Sequence, residues 1–372
     1  MKTVKIICTL IFAVVFSVAA HGANTDGYHE DRLEASGALE LSEHLTKETE
    51  GYLERLGCGD MEFEKILDVS PKAVFSLLSD MLKGGIKEPL KAMLKATGIV
   101  MLVSVCGGFF PDDEKSRAVM NLVCGGVTAT GVLVPAAASL RGAVSAMGVC
   151  ATFEKALIPV LAGILTAGGN PVLALSFKGT AFAAAQTVEA LAENFAMPLI
   201  GISGAMGITG AMLPTLRLNA VSELIRKTMT TVLACTAGLF TGFLSLKSIL
   251  AASADSLAVK GVRMASSFVP VVGGALGEAV ASVSASLSLI KNTVGIYAVA
   301  AFFLTGAPVV INLALWSFAM RGACAVSDLL DCRVCSEILK SISFVFSMAN
   351  AVLLLCMAVF IISSGLVISF GG

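Results

Sequence analysis

Charge is scarce in this 372-residue chain. Asp, Glu, Lys and Arg make up 14% of it, against about 25% in a typical soluble domain. That deficit excludes an ordinary water-soluble enzyme and a disordered chain. Neither sign is in excess: 26 Lys and Arg face 27 Asp and Glu, for a formal net charge of −1. No basic field for nucleic acid results. Histidine is nearly missing, and His21, His29 and His44 all precede the first apolar run after the N-terminus. There is no G-x-x-x-x-G-K-[ST] loop, so the chain cannot draw on ATP by itself. Apolar and small residues are plentiful, with 56% hydrophobic residues and 36 Gly. The apolar runs are about 20 residues long and do not alternate every second residue, which selects helices over a barrel. The expected fold is all-α, a polytopic integral membrane bundle packed through small residues.

Residues 1–20 have the layout of a secretory signal peptide. Lys2 and Lys5 precede the apolar stretch Ile6 to Ala20, and Val18 and Ala20 suit a cut after Ala20. An uncleaved signal anchor is the alternative, and both place the next segment outside the cytoplasm. Residues 21–70 hold thirteen acids and four bases, net −9, and lack of positive charge agrees with translocation. Ser70-Pro71 supplies an N-cap and a proline for the first helical turn. Val74, Phe75, Leu77, Leu78, Met81 and Leu82 then form an apolar face, and Gly84-Gly85 predicts the stop. The expected division is a signal peptide at 1–20, a small polar and helical extracytoplasmic region at 21–88, and a membrane domain at 89–372.

Charge-free intervals at 96–111, 118–140, 156–177, 194–216, 228–246, 292–320 and 341–372 mark spans. The small-residue stretch 264–290, broken by Glu278, is a span, a re-entrant pair or an interfacial helix. Seven or eight membrane segments are therefore expected. Residues 217–227 and 247–263 are amphipathic and are expected at the interface. The two longest intervals must tilt, kink or overhang, and Pro308 can kink the first. Inside loops at 112–117, 178–193, 247–263 and 321–340 would carry nine Lys and Arg, against six outside.

Gly201-Ile202-Ser203-Gly204 looks like an intramembrane serine protease motif, yet no membrane segment carries the histidine that chemistry needs. The favoured reading is a packing face of Gly201, Gly204, Gly207 and Gly210. Ser288 and Lys291 match S-x-x-K without its companion motifs, and Lys291 is expected to snorkel to an interface. Cys332 and Cys335 form one C-x-x-C with only Cys324 as a nearby third ligand, so the expectation is unpaired thiols without metal. Glu278 is the best intramembrane acid candidate, set against a merely interfacial position. Glu189 and Glu193 lie four apart, on one helix face. No cluster of ionisable groups of the kind a coupled carrier needs is expected. Two G-x-x-x-G pairs, Gly238/Gly242 and Gly273/Gly277, offer close-packing faces.

One block carries a family resemblance. It runs from Asp255 through Lys260, Arg263 and Phe268-Val269-Pro270-Val271-Val272-Gly273-Gly274, then through Gly277 and Glu278 to Leu289-Ile290-Lys291-Asn292-Thr293-Val294-Gly295. A basic amphipathic entry, an F-V-P-V-V-G turn, a Ser-rich helix and an L-I-K-N-T-V-G exit resemble the stage III sporulation protein AE family. The overall layout is similar too. The resemblance implies a non-enzymatic subunit of a channel-like, secretion-type complex in the mother-cell membrane around the forespore. It implies sister subunits including an ATPase and ring-forming proteins, a forespore membrane partner across the intermembrane space, and membrane lipid, with no nucleic acid. It brings no catalytic residue, cofactor or metal. Asp255, Lys260, Arg263, Pro270, Gly273, Gly277, Glu278, Lys291 and Gly295 are the assembly and packing candidates. A small-molecule permease is the alternative, although no half-to-half repeat is visible.

Overall fold

The computed structural model describes residues 36–59, 70–107, 109, 114–213, 218, 220–240, 242 and 273–369. The expected signal peptide at 1–20 and the amphipathic stretch 247–263 lie outside them. The described residues contain helices and turns and no strand, in line with the all-α expectation. A 3-10 turn, Ala38–His44, leads to α1, Lys47–Arg55. Thr46 caps α1, its side-chain oxygen accepting from the Thr49 N–H at 3.3 Å.

The second helix begins where the sequence predicts. In α2, Pro71–Gly85, the Ser70 hydroxyl accepts from the Lys72 N–H at 3.3 Å and Pro71 opens the first turn. The Gly84-Gly85 stop is slight: a turn at Ile86 leads straight into α3, Lys87–Gly107. Of the predicted apolar face, Leu77 and Met81 are buried while Phe75 stays 76% exposed. Only the stripe packed on the bundle is covered.

Longer rods make up the rest. They are α4, Glu114–Ala167; α5, Pro171–Ala190; α6, Met197–Met212; α7 at 220–240; α8, Gly273–Leu329; and α9, Arg333–Ser369. A π-helical segment, Leu191–Ala196, fuses α5 to α6. Five helices among the described residues are long and apolar enough to cross a membrane: Pro71–Cys106, Ala118–Ala167, Pro171–Met212, Leu287–Leu329 and Arg333–Gly365. The expected seven or eight segments do not map onto them one for one. The charged intervals 141–155 and 178–193, read as loops, are helix throughout. Their Ala, Leu, Glu and Lys residues are good helix formers, so charge interrupts hydropathy there without interrupting the helix. Likewise the described part of 264–290 is the start of α8 and runs on into 292–320. Residues 220–227, expected at the interface, continue into α7. There Arg226 stacks 4.1 Å above the Phe344 ring of α9, while Lys227 beside it is exposed.

The centre of the bundle is the hairpin of α8 and α9. Trp316 stacks on Phe346 with centroids 5.2 Å apart. Phe302 meets Phe153 of α4 edge-on at 5.1 Å and Phe360 of α9 at 5.4 Å. Serines fasten the hairpin: the Ser317 hydroxyl lies 2.7 Å from that of Ser347 and 3.2 Å from that of Ser343. Arg321 donates from Nη2 to Ser347 at 3.0 Å. Two of the four glycines of the predicted face, Gly204 and Gly207, press α6 onto α9, whereas Gly201 is exposed with open space where its Cβ would stand. A Cβ on Gly204 would sit 2.6 Å from Val345 Cγ2, and one on Gly207 would collide with the Ser341 side chain. By contrast, added Cβ atoms at Gly238 and Gly242 would meet nothing within 4 Å.

Candidate functional site

A charged layer lies where α4, the α5–π segment and α9 meet. Glu154 of α4 is 1% exposed, and neither carboxylate oxygen has a hydrogen-bond partner among the described residues. Cys150, one turn earlier, is equally buried. Ser363 of α9 approaches Glu154 but falls short of hydrogen-bond geometry. The next residue, Lys155, turns the other way and pairs with Glu189 of α5, Nζ to Oε2 at 2.6 Å, each side chain about one-third exposed. Glu193 sits in the π segment, its Oε1 3.8 Å from where a Cβ on Gly148 would stand. The acid thus lies in van der Waals range of α4, and π insertions recur at functional positions. Glu189 and Glu193 both approach α4, on the shared helix face that their spacing predicts. A buried, unpaired acid costs several kcal/mol of desolvation, so it is a functional pointer before it is a stabiliser.

Glu154 escaped the sequence reading because it sat in a supposed loop. A signal was present. Cys150, Phe153, Leu157, Ile158 and Leu161 recur at helical spacing on both sides of it, and all are buried.

Of the assembly candidates, Asp255, Lys260, Arg263 and Pro270 lie outside the described residues. Gly273, Gly277 and Glu278 fall in the first turns of α8. Gly295 is buried farther along the same helix. Lys291 corrects an expectation: it is 4% exposed, enclosed in the bundle, and does not snorkel. The reason is that the helix continues past it in both directions and neighbouring helices enclose its side chain, so it has no free helix end to reach around. Ser203 is fully buried with its hydroxyl 3.2 Å from that of Ser222, a packing contact between α6 and α7.

A second polar locus joins the N-terminal segment to the rods. Thr49 of α1 and Thr305 of α8 meet in the interior, hydroxyl to hydroxyl at 3.3 Å. Beside them an open cavity of about 480 Å³ is lined by Thr46, Glu48, Tyr52, Ser139, Ser145 and Asn312, among others. The Tyr52 hydroxyl donates to Glu48 at 2.8 Å. Burial first, and that carboxylate second, push its phenol up to about 12. Burial likewise pushes the Cys58 thiol up to about 11. The nine described cysteines are free thiols.

Comparison with known proteins finds sequence similarity to one family. A family model described as stage III sporulation protein AE matches residues 62–371. The stage III sporulation protein AE of Bacillus subtilis (strain 168) is 27% identical over 214 residues, which cover 56% of this chain and 54% of that protein. The chain therefore spans about half the length of that curated relative. No solved structure matches.

Proposed function

Since this chain belongs to the stage III sporulation protein AE family, we propose that it is a non-enzymatic membrane subunit of a channel-like, secretion-type complex linking mother cell and forespore. It resides in the mother-cell membrane around the forespore and supports late forespore gene expression. Its partners are sister subunits, an ATPase and ring-forming proteins among them, and a forespore membrane protein across the intermembrane space. The observation that carries this reading is the reach of the family match, 62–371, over the bundle as a whole. The uncovered apolar flank of α2 and α3 suits a chain that works among neighbours in lipid. Ser203 and Ser288 carry no catalysis, and Ser203→Ala or Ser288→Ala leaves sporulation intact.

The test is copurification from sporulating cells in mild detergent. The native chain brings down its sister subunits. Gly273→Leu with Gly277→Leu inserts in the membrane, loses those partners and stalls sporulation after engulfment, whereas Gly179→Leu does neither. Normal copurification and normal spore numbers in the double variant would sink the assembly role of this block. Sidedness has its own test. Glu43→Cys, at an exposed position, reacts with an impermeant thiol reagent in intact cells, and labelling only after lysis reverses the topology.

A small-molecule permease is the second reading, favoured by one observation, the buried Glu154 next to the Lys155–Glu189 pair. The readings part at Glu154→Gln. A carrier loses substrate movement while its partners still copurify or are absent altogether. A channel subunit keeps both its partners and sporulation.

A further inference from the structure

The turn joining α8 to α9 holds two thiols in a fixed relation. After Leu329 the chain reverses through Asp331, at φ 51°, a left-handed conformation uncommon outside Gly, Asn and Asp. Cys332 comes next, immediately before the first helical residue of α9. Three hydrogen bonds pin its backbone. Its N–H donates to the Ser327 carbonyl at 3.0 Å, and its carbonyl accepts from the Ser327 hydroxyl at 2.8 Å and the Ser336 N–H at 3.1 Å. The Cys332 side chain remains half-buried, open at the turn. Cys335 lies one turn into α9 and is fully buried. Its Sγ is 3.4 Å from the Thr128 hydroxyl of α4, which itself donates to the Cys124 carbonyl at 2.8 Å. Cys335 follows Cys332 by three residues, at the first turn of the helix that Cys332 precedes.

We propose that Cys332 and Cys335 form a thiol–disulfide exchange site for low-molecular-weight disulfides, with Cys332 as the attacking thiol and Cys335 as the resolving one. The asymmetry of access assigns the roles: the outer sulfur meets the reagent and the inner one is held behind it. Position before a helix N-terminus favours a thiolate at Cys332. The neighbouring Cys335, through its thiol and then its backbone N–H, draws the Cys332 thiol down to about 6, against burial and the Asp331 carboxylate. Cys124 of α4 is the other titratable group near the pair. In the first step the Cys332 thiolate attacks one sulfur of RSSR, forming Cys332–S–S–R and releasing RS⁻. Cys335 then gives its proton to RS⁻ and attacks the Cys332 sulfur, expelling the second RS⁻, which takes a proton from water. The protein loses two electrons and two thiol hydrogens, and RSSR becomes two RSH.

The experiment uses the full chain purified in detergent, with hydroxyethyl disulfide as the oxidant. Native protein should lose 2 Da, with the new link mapping to Cys332–Cys335, and a reductant should restore the mass. Cys335→Ser should stop at one mercaptoethanol adduct on residue 332, and Cys332→Ser should form neither link nor adduct there. A link that maps to Cys124 or Cys106, or a native chain that forms no link, overturns the site. Independently of any variant, alkylation of Cys332 in the native chain should be half-maximal near pH 6. A midpoint above pH 8 overturns the assigned attacking role.

Discussion

The α8–α9 hairpin and the α2–α3 rod are both apolar enough to cross a bilayer, yet they meet different surroundings. In the most apolar stretches of α8 and α9, 61% and 56% of residues are buried within the protein, against 22% for Pro71–Cys106. On α3, Leu94, Met101, Leu102 and Val105 are each more than half exposed. Across the bundle, Trp316, Tyr297, Phe302, Phe346 and Phe360 are almost wholly enclosed. Hydropathy thus measures how apolar a helix is and leaves open whether it faces protein or lipid. Aromatic stacking and small-residue contacts make the hairpin the core. The α2–α3 rod keeps its apolar flank for lipid or a neighbouring subunit.

The contrast breaks most readily at Trp316. Trp316→Ala removes a buried ring stacked on Phe346 and should cost about 3–5 kcal/mol, read as a large fall in the melting temperature of the detergent-purified chain. Survival of that change with native melting would show that the hairpin is not the core. Overfilling comes next. Gly306→Leu drives a side chain into Met357, whose Cε would lie 2.5 Å from the new Cβ, and should cost about 1–3 kcal/mol. Gly98→Leu on α3, where a Cβ meets nothing within 4 Å, should leave melting unchanged. Ser317→Ala cuts the serine cluster and should cost about 1 kcal/mol or less, near the measured range for interhelical hydrogen bonds in membrane proteins. The smallest effect belongs to Leu102→Ala, within about 0.5 kcal/mol in the isolated chain. If Leu102→Ala also loses partner subunits in a pull-down, the α3 flank is a protein contact; if the partners stay, it faces lipid.

The helical membrane class, the Ser70-Pro71 start and the close face of Gly204 and Gly207 were legible because each rests on local chemistry. Lengths of apolar runs, a cap and a glycine spacing are all short-range signals. The limits of the spans were not legible. Arg141, Glu154, Lys155, Lys178 and Glu189 lower hydropathy while sitting inside continuous helices, and helix propensity is blind to the difference. Lys291 misled for a related reason. Snorkelling presumes a helix end, and nothing in a four-residue window says that α8 begins as far back as Gly273. The polar layer was hidden because it is assembled across α4, α5 and α9. Glu154 and Glu193 are 39 positions apart in number and share a layer only once α4 and α5 fold back on each other. Residues 255–272 of the block that carries the family likeness lie outside the described residues.

α4 runs 54 residues without a break, through Pro135 and Pro159. At 1.5 Å per residue it is about 80 Å long, more than twice the ~30 Å hydrocarbon core of a bilayer. A rigid member of that length has the reach of a lever arm. With one end held, a tilt of about 5° carries the other end sideways by about 7 Å on that rise, farther than one helical turn is tall. For a rigid rod of that length, a small rotation at one end becomes a displacement the size of a side chain at the other.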